Sequence, residues 1–261
     1  MSGAGMVVLA VVAGLVIGFG LGALGSGGSV LSVPALVYLF GMDPYPATTG
    51  SLIVVGAGAA AGVLAHRRAG QVDVPAGLTL GLFGIPGSAL GSWLSAAVDA
   101  QLLLSAYVGL LLVAALALHR FAPATAVAAP SPHPPSWSRT LVIIGTATVI
   151  GLVTGFLGVG GGFLTVPVLA LVFRLPMPVA VGTSLLVIMI NSMVALLARA
   201  GQDVNLDWAV LLGFAAASVA GCLGGAHIVS RVSPHRLSRA LTLVLVAVAC
   251  YIGLRSVLVL I

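Results

Sequence analysis

Two glycine clusters are the residues best placed to do chemistry in this chain: Gly25-Ser26-Gly27-Gly28-Ser29 and Gly158-Val159-Gly160-Gly161-Gly162. Successive glycines let backbone N–H groups converge on an anion with no side chain in the way. Where such a run opens a helix, the unpaired N–H groups and the macrodipole add about half a positive charge. Two such ends suit a small anion without any buried Lys or Arg. Hydroxyl and amide donors sit at matched places around them: Ser29, Ser32, Thr49 and Ser51 in the first half, and Thr165, Thr183, Ser184 and Asn191 in the second. The candidate substrate-binding set is therefore Gly25, Ser26, Gly27, Gly28, Ser29, Ser51, Gly158, Gly160, Gly161, Gly162, Thr183 and Ser184, with Asn191, Cys222 and His227 as secondary candidates.

Other chemistries find little support. Asp43, Asp73, Asp99, Asp203 and Asp207 all mark the ends of apolar runs, so no intramembrane carboxylate pair or proton relay is indicated. Gly20-Leu21-Gly22-Ala23-Leu24-Gly25 satisfies a dinucleotide-binding pattern but has no preceding strand. His66, His119, His133 and His235 lie at run ends or in a linker and read as solvated, which leaves His227 as the histidine with membrane depth. Cys222 takes the place of Ser88 in the other half and reads as small-residue packing, and no cysteine spacing fits a metal. No catalytic set, metal or cofactor is expected. An intramembrane hydrolase pairing a serine with His227 lacks a recognisable nucleophile and base, and a scaffold using glycine only for helix packing is the other alternative.

The elements that must position these residues are membrane helices. The 261 residues are 60% hydrophobic and 6% charged, with a mean hydropathy of +1.25, which excludes a soluble globular domain. All the basic residues are Arg, all the acids are Asp, and the net charge of +5 is scattered between apolar runs, so it bears on membrane orientation and not on nucleic acid. Apolar runs fall at about 6–40, 47–65, 74–98, 100–118, 140–173, 178–198, 208–230 and 237–260, the first reading as a retained membrane segment. The first and fifth are too long for one crossing of a core about 30 Å thick, and each must break at its glycine cluster.

The breaks expose a duplication. Residues 22–34 superpose on 155–167 without a gap, Ala47-Thr-Thr-Gly-Ser51 falls on Ala180-Val-Gly-Thr-Ser184, and Gly70-Gln71 falls on Gly201-Gln202. Residues 1–121 and 139–261 then form two membrane repeats, joined by a Pro-rich linker at 122–138. If each long run folds back at its glycines, Arg67, Arg68, Arg120, Arg139, Arg174, Arg231, Arg236 and Arg239 share one side and only Arg199 and Arg255 lie opposite. That asymmetry obeys the positive-inside rule, with the linker cytoplasmic and both termini non-cytoplasmic. The expectation is an all-α polytopic membrane protein of two inverted repeats. Each has about four transmembrane helices, one of them a Gly-broken re-entrant or discontinuous helix, with the site at the repeat interface.

The doubled Gly-rich break followed by Val-Pro, clearest in Gly158-Val-Gly-Gly-Gly-Phe-Leu-Thr-Val-Pro167, together with Ala180-Val-Gly-Thr-Ser184, resembles the sulfite exporter TauE/SafE family of membrane permeases. The resemblance covers nearly the whole chain outside the linker. The first half departs from the pattern where Ser26 and Ser29 interrupt the glycine run and Thr49-Gly50-Ser51 replaces Gly-Thr-Ser. What the resemblance implies is movement, generally outward, of sulfite or small organosulfonates such as sulfoacetate across a bacterial plasma membrane. The implied partners are a small sulfur-containing anion and the lipid bilayer, and an oligomer is compatible with this pattern.

Overall fold

In the computed structural model of the chain, the described residues are 3–25, 27–99, 137–158, 162–171, 173–201, 204 and 206–229, with scattered helical positions between 102 and 116 and between 239 and 250. Ser26, Gly160, Gly161 and most of the linker lie outside them. Every regular element among the described residues is an α-helix: α1 (Gly3–Leu24), α2 (Gly27–Tyr38), α3 (Pro44–Arg68), α4 (Val74–Ala96), α5 (Trp137–Leu157), α6 (Gly162–Leu171), α7 (Met177–Ala198) and α8 (Trp208–Val229). Five of them, α1, α3, α4, α7 and α8, are long and apolar enough to cross a membrane. Their outward faces carry exposed Val8, Val16, Leu82, Leu90, Leu197 and Leu212, an exterior suited to lipid.

The long runs break where the glycines stand. Gly25 takes φ +70° and its N–H bonds the Leu21 carbonyl at 2.8 Å; Gly158 takes φ +66° and bonds Thr154 at 2.9 Å. Both are left-handed caps that end a helix and are available at little cost only to a residue without a Cβ. The following helices are short, at 12 residues for α2 and 10 for α6, or about 18 and 15 Å. α2 turns back along α1, since a Cβ on Gly28 would collide with the Ile17 carbonyl and the Leu21 backbone.

The same local geometry recurs at one constant step along the chain. It relates Leu21 and Gly25 to Thr154 and Gly158, and the Met42-to-Leu36 backbone bond to the Leu175-to-Leu169 bond. It also relates Gly41, at φ +67°, to Arg174, at φ +55°.

Close helix packing runs through further glycines. Gly14, Gly18 and Gly22 of α1 lie against the carbonyls of Phe214, Ser218 and Cys222 of α8, while Gly221 and Gly225 answer from α8 against Leu15 and Phe19. The second contact of this kind joins α4 to α5, with Gly87 and Gly91 on the carbonyls of Thr148 and Leu152, and Gly151 and Gly155 on those of Gly84 and Ser88. Small residues four apart let two backbones approach this closely, which drives association where lipid removes the hydrophobic incentive. Both pairs run parallel. In contrast, α3 and α7 run antiparallel at the centre of the bundle, where Gly56 faces Ser192 and Gly62 faces Leu185. From these directions, Arg67, Arg68, Arg139 and Arg174 all fall at one end of the bundle, whereas Trp93 and Trp208, both exposed, fall at the other.

Candidate functional site

The two breaks do not meet. A Cβ on Gly158 would lie 2.5 Å from Thr48, near the start of α3, whereas one on Gly25 would lie 2.6 Å from the Ser184 hydroxyl and 3.1 Å from Val181, near the start of α7. Because Leu185 faces Gly62, the level of Gly25 is reached only near Gly62 along α3. At 1.5 Å per residue, Thr48 and that level are about 20 Å apart. The breaks therefore lie toward opposite ends of the bundle, each packed against the other half.

Beside each break is a buried basic side chain. Arg199, immediately beyond the apolar span Met177–Ala198, is only 3% exposed. Its Nη1 donates to Thr48 Oγ1 at 2.8 Å and to Thr49 Oγ1 at 2.7 Å. Its Nη2 donates to the Gly155 carbonyl at 2.8 Å and its Nε to Ser92 Oγ at 3.3 Å. The guanidinium carbon stands 5.0 Å from the centre of the Tyr45 ring, in cation–π range. Burial pushes this guanidinium down to about 10, with Tyr45 acting in the opposite direction, so it stays charged at neutral pH. Among the described residues no carboxylate pairs with it. A charge that is hydrogen-bonded and uncompensated is costly to bury unless an anion visits it.

At the other break, His66 is 1% exposed. Its Nε2 lies 3.0 Å from the Gly22 carbonyl and its Nδ1 lies 3.0 Å from Gln71 Oε1. The step that relates Gly25 to Gly158 also relates Gly22 to Gly155 and His66 to Arg199. Each basic group thus grips the same carbonyl in the last turn of the broken helix.

One reading of the sequence is corrected here: His66 is not solvated. Arg199, placed by the sequence opposite most other arginines, does fall at that end, but it is buried. Both end a helix, where a charge ordinarily reaches water; three neighbouring helices cover Arg199 instead. The repeat alignment carried the missing signal, because a basic residue stands at the same step in both halves.

The remaining predicted residues distribute as follows. Gly27 opens α2 and Gly162 opens α6, while Ser29 is buried within α2. Thr183 Oγ1 accepts the Asp73 N–H at 2.9 Å, tying α7 to the cap of α4. The Ser184 hydroxyl donates to Val181 within its own helix at 2.7 Å. Ser51 Oγ and both amide atoms of Asn191 are buried without a partner, as are the hydroxyls of Ser192 and Ser218. Ser192 and Ser218 face Gly56 and Gly58, and thus lie between the levels of the two breaks. Asn191 abuts Gly84, and Ser88 Oγ donates to the Asn191 carbonyl at 2.9 Å. Cys222 is buried against Gly62, whereas His227 is exposed near the end of α8.

Comparison with known proteins places the chain among membrane transporters. Residues 10–252 match the profile of a family described as sulfite exporter TauE/SafE. A probable membrane transporter protein of Xylella fastidiosa strain 9a5c is 35% identical, with 93% of each chain covered. A probable membrane transporter protein of Bacillus subtilis strain 168 is 27% identical over 93% of this chain and 96% of its own. No solved structure matches the chain.

Proposed function

Since the chain belongs to the sulfite exporter TauE/SafE family and is a multi-pass membrane transporter, we propose that it carries small sulfur oxyanions, sulfite or organosulfonates, outward across the plasma membrane. The observation that carries this reading is the buried charge of Arg199, held at the Gly158 break by neutral acceptors and facing no carboxylate among the described residues. A sulfur oxyanion supplies the missing negative charge beside the guanidinium, where the N-terminus of α6 adds backbone N–H groups.

The halves act as an inverted repeat, a reading supported by the opposite courses of α3 and α7 and by the constant step between the two breaks. The Gly158–Arg199 end and the Gly25–His66 end are then equivalent approaches from opposite sides. The anion passes between them along the level of Ser51, Asn191, Ser192 and Ser218, whose orphaned polar atoms take its hydrogen bonds in transit. Alternating access opens one break while the other stays packed. The end that gathers Arg67, Arg68, Arg139 and Arg174 faces the cytoplasm, so His66 guards the inner approach and Arg199 the outer one.

Radiolabelled sulfite flux into proteoliposomes, with sulfoacetate, thiosulfate, sulfate and chloride as competitors, tests the reading. Saturable, protein-dependent flux competed by sulfonates is expected. Flux no greater than in empty liposomes under an imposed gradient would move the assignment to another solute or to a packing scaffold.

A further inference from the structure

We propose that Asn191, at the middle of the path, decides which anions pass, selecting those that carry an O–H or N–H of their own beside the sulfur oxygens over equally charged anions that carry none. This deepens the transporter reading above and rests on it. Between the levels of the two breaks, Asn191 through both amide atoms, Ser192 and Ser218 are fully buried with no partner among the described residues. Opposite each stands a glycine. A Cβ on Gly84 would lie 2.8 Å from Asn191 Oδ1 and 3.1 Å from its amide nitrogen, one on Gly58 would lie 3.0 Å from Ser218 Oγ, and one on Gly56 would lie 3.3 Å from Ser192 Cβ. Two of these pairs are equivalent in the repeat. The step that relates Gly25 to Gly158 also relates Gly58 to Asn191, and the step that relates Gly87 to Gly221 relates Gly84 to Ser218. In both pairs the first half supplies the glycine and the second half the unpartnered polar group, across the repeat interface where such architectures place their substrate.

The hydroxyls that α4 and α5 bring near the amide are already committed. Ser88 Oγ donates to the Asn191 carbonyl at 2.9 Å, Ser92 Oγ to the Ala195 carbonyl at 3.1 Å, and Thr148 Oγ1 to the Ile144 carbonyl at 2.9 Å. A primary amide presents two N–H donors and an oxygen that only accepts. The donors suit any oxyanion. The oxygen does not: an anion with no proton to give sets acceptor against acceptor and leaves that atom buried and unpaired, whereas a hydroxy- or amino-sulfonate, or sulfite in its protonated form, meets both edges at once. Exchange of the amide O and N leaves the argument intact, because both atoms lack a partner. Charge plays little part at this level, since Arg199 stands eight residues farther along α7, or about 12 Å. The glycines keep the polar edge reachable, as any side chain at Gly84 would cover it. A site built to bond a substrate hydroxyl rejects the analogue without one far more strongly than an apolar pocket rejects an extra methylene.

The test measures the flux of labelled hydroxyethanesulfonate and labelled propanesulfonate in proteoliposomes of the full chain. These probes share charge and shape and differ by a hydroxyl in place of a methyl. At subsaturating concentration the wild type should move the hydroxysulfonate at least about tenfold faster. In Asn191→Leu that ratio should fall to about one, and Asn191→Ala, which only shortens the side chain, should give the same result where the leucine variant does not fold. An amide with a merely structural role would slow both probes together and keep the ratio, which overturns the proposal. A wild-type ratio near one overturns it without any variant, and so does sulfite flux with neither probe moving. Should neither sulfite nor either probe move, the transporter reading falls and this inference falls with it.

Discussion

Arg199→Met separates the anion-binding role of the buried guanidinium from its structural one. Removal of the charge takes the 2.8 Å bond from the Gly155 carbonyl and leaves it only the 3.5 Å one from Ser92 Oγ, a cost of up to about 1–3 kcal/mol. Thr48 and Thr49 keep their bonds to the Tyr45 carbonyl, at 2.7 and 3.3 Å. Against that cost, the substitution relieves the burial of an uncompensated cation, a penalty of several kcal/mol. The two nearly cancel, so stability should change by less than about 2 kcal/mol in either direction. Binding should not be spared. An anion about 5 Å from a unit charge, at an effective dielectric constant of 20, gains roughly 3.3 kcal/mol, which is about 250-fold in affinity. Arg199→Lys retains the charge but cannot span Thr48, Thr49, Ser92 and Gly155 as a fork, and should lose about tenfold. The assay is the concentration dependence of sulfonate flux in proteoliposomes, with thermal unfolding in detergent as the control for folding. Wild-type apparent affinity in a folded Arg199→Met protein would refute the reasoning, since Arg67, Arg68, Arg139 and Arg174 fall at the opposite end of the bundle.

Further outcomes follow from the packing. Gly224→Ala and Gly225→Ala are adjacent on α8, but an added Cβ at Gly224 meets open space while one at Gly225 strikes the Phe19 carbonyl; thermal unfolding should show the first neutral or stabilising by about 0.5–1 kcal/mol and the second destabilising by about 1–3 kcal/mol. Gly158→Ala combines a left-handed backbone, costing roughly 1–2 kcal/mol for a residue with a Cβ, with collision against Thr48, and should reduce both folded yield and flux. Arg174 holds φ +55° where the other half has Gly41, so Arg174→Gly should raise stability by about 1 kcal/mol in the same unfolding assay. Asn191→Leu removes an amide with two unpartnered buried atoms, and should leave stability unchanged or raised by about 1–2 kcal/mol while lowering flux at least about tenfold in proteoliposomes.

Much of this protein is legible from its sequence because the bilayer enforces a simple grammar. Sustained hydropathy predicts helices at 44–68, 74–96, 177–198 and 208–229 to within a few residues, since a chain in lipid must satisfy its backbone internally. Length sets the two breaks: an apolar run of some 34 residues cannot remain one helix across a core of about 30 Å, and Gly25 and Gly158 are the caps that left-handed geometry favours. Composition and the repeated Gly-rich Val-Pro motif likewise reached the family.

Only the tertiary structure decides where the breaks lie and what stands beside them. Two matched half-helices suggest two ends facing one another; helix directions place Gly25 and Gly158 about 20 Å apart instead, each against the opposite half. His66 reads as solvated, and the burial of Arg199 goes unseen, because hydropathy measures transfer from water for one residue at a time. Whether a basic group at a helix end reaches water depends on α3, α4 and α5 around Arg199 and on α1 and the Gly70 turn around His66, and those neighbours come from distant parts of the chain. Sequence dictates which segments enter the membrane, through the cost of wetting apolar surface and of leaving backbone unpaired. Packing alone dictates which charges come with them, because the donors and acceptors that make their burial tolerable are assembled only in the fold.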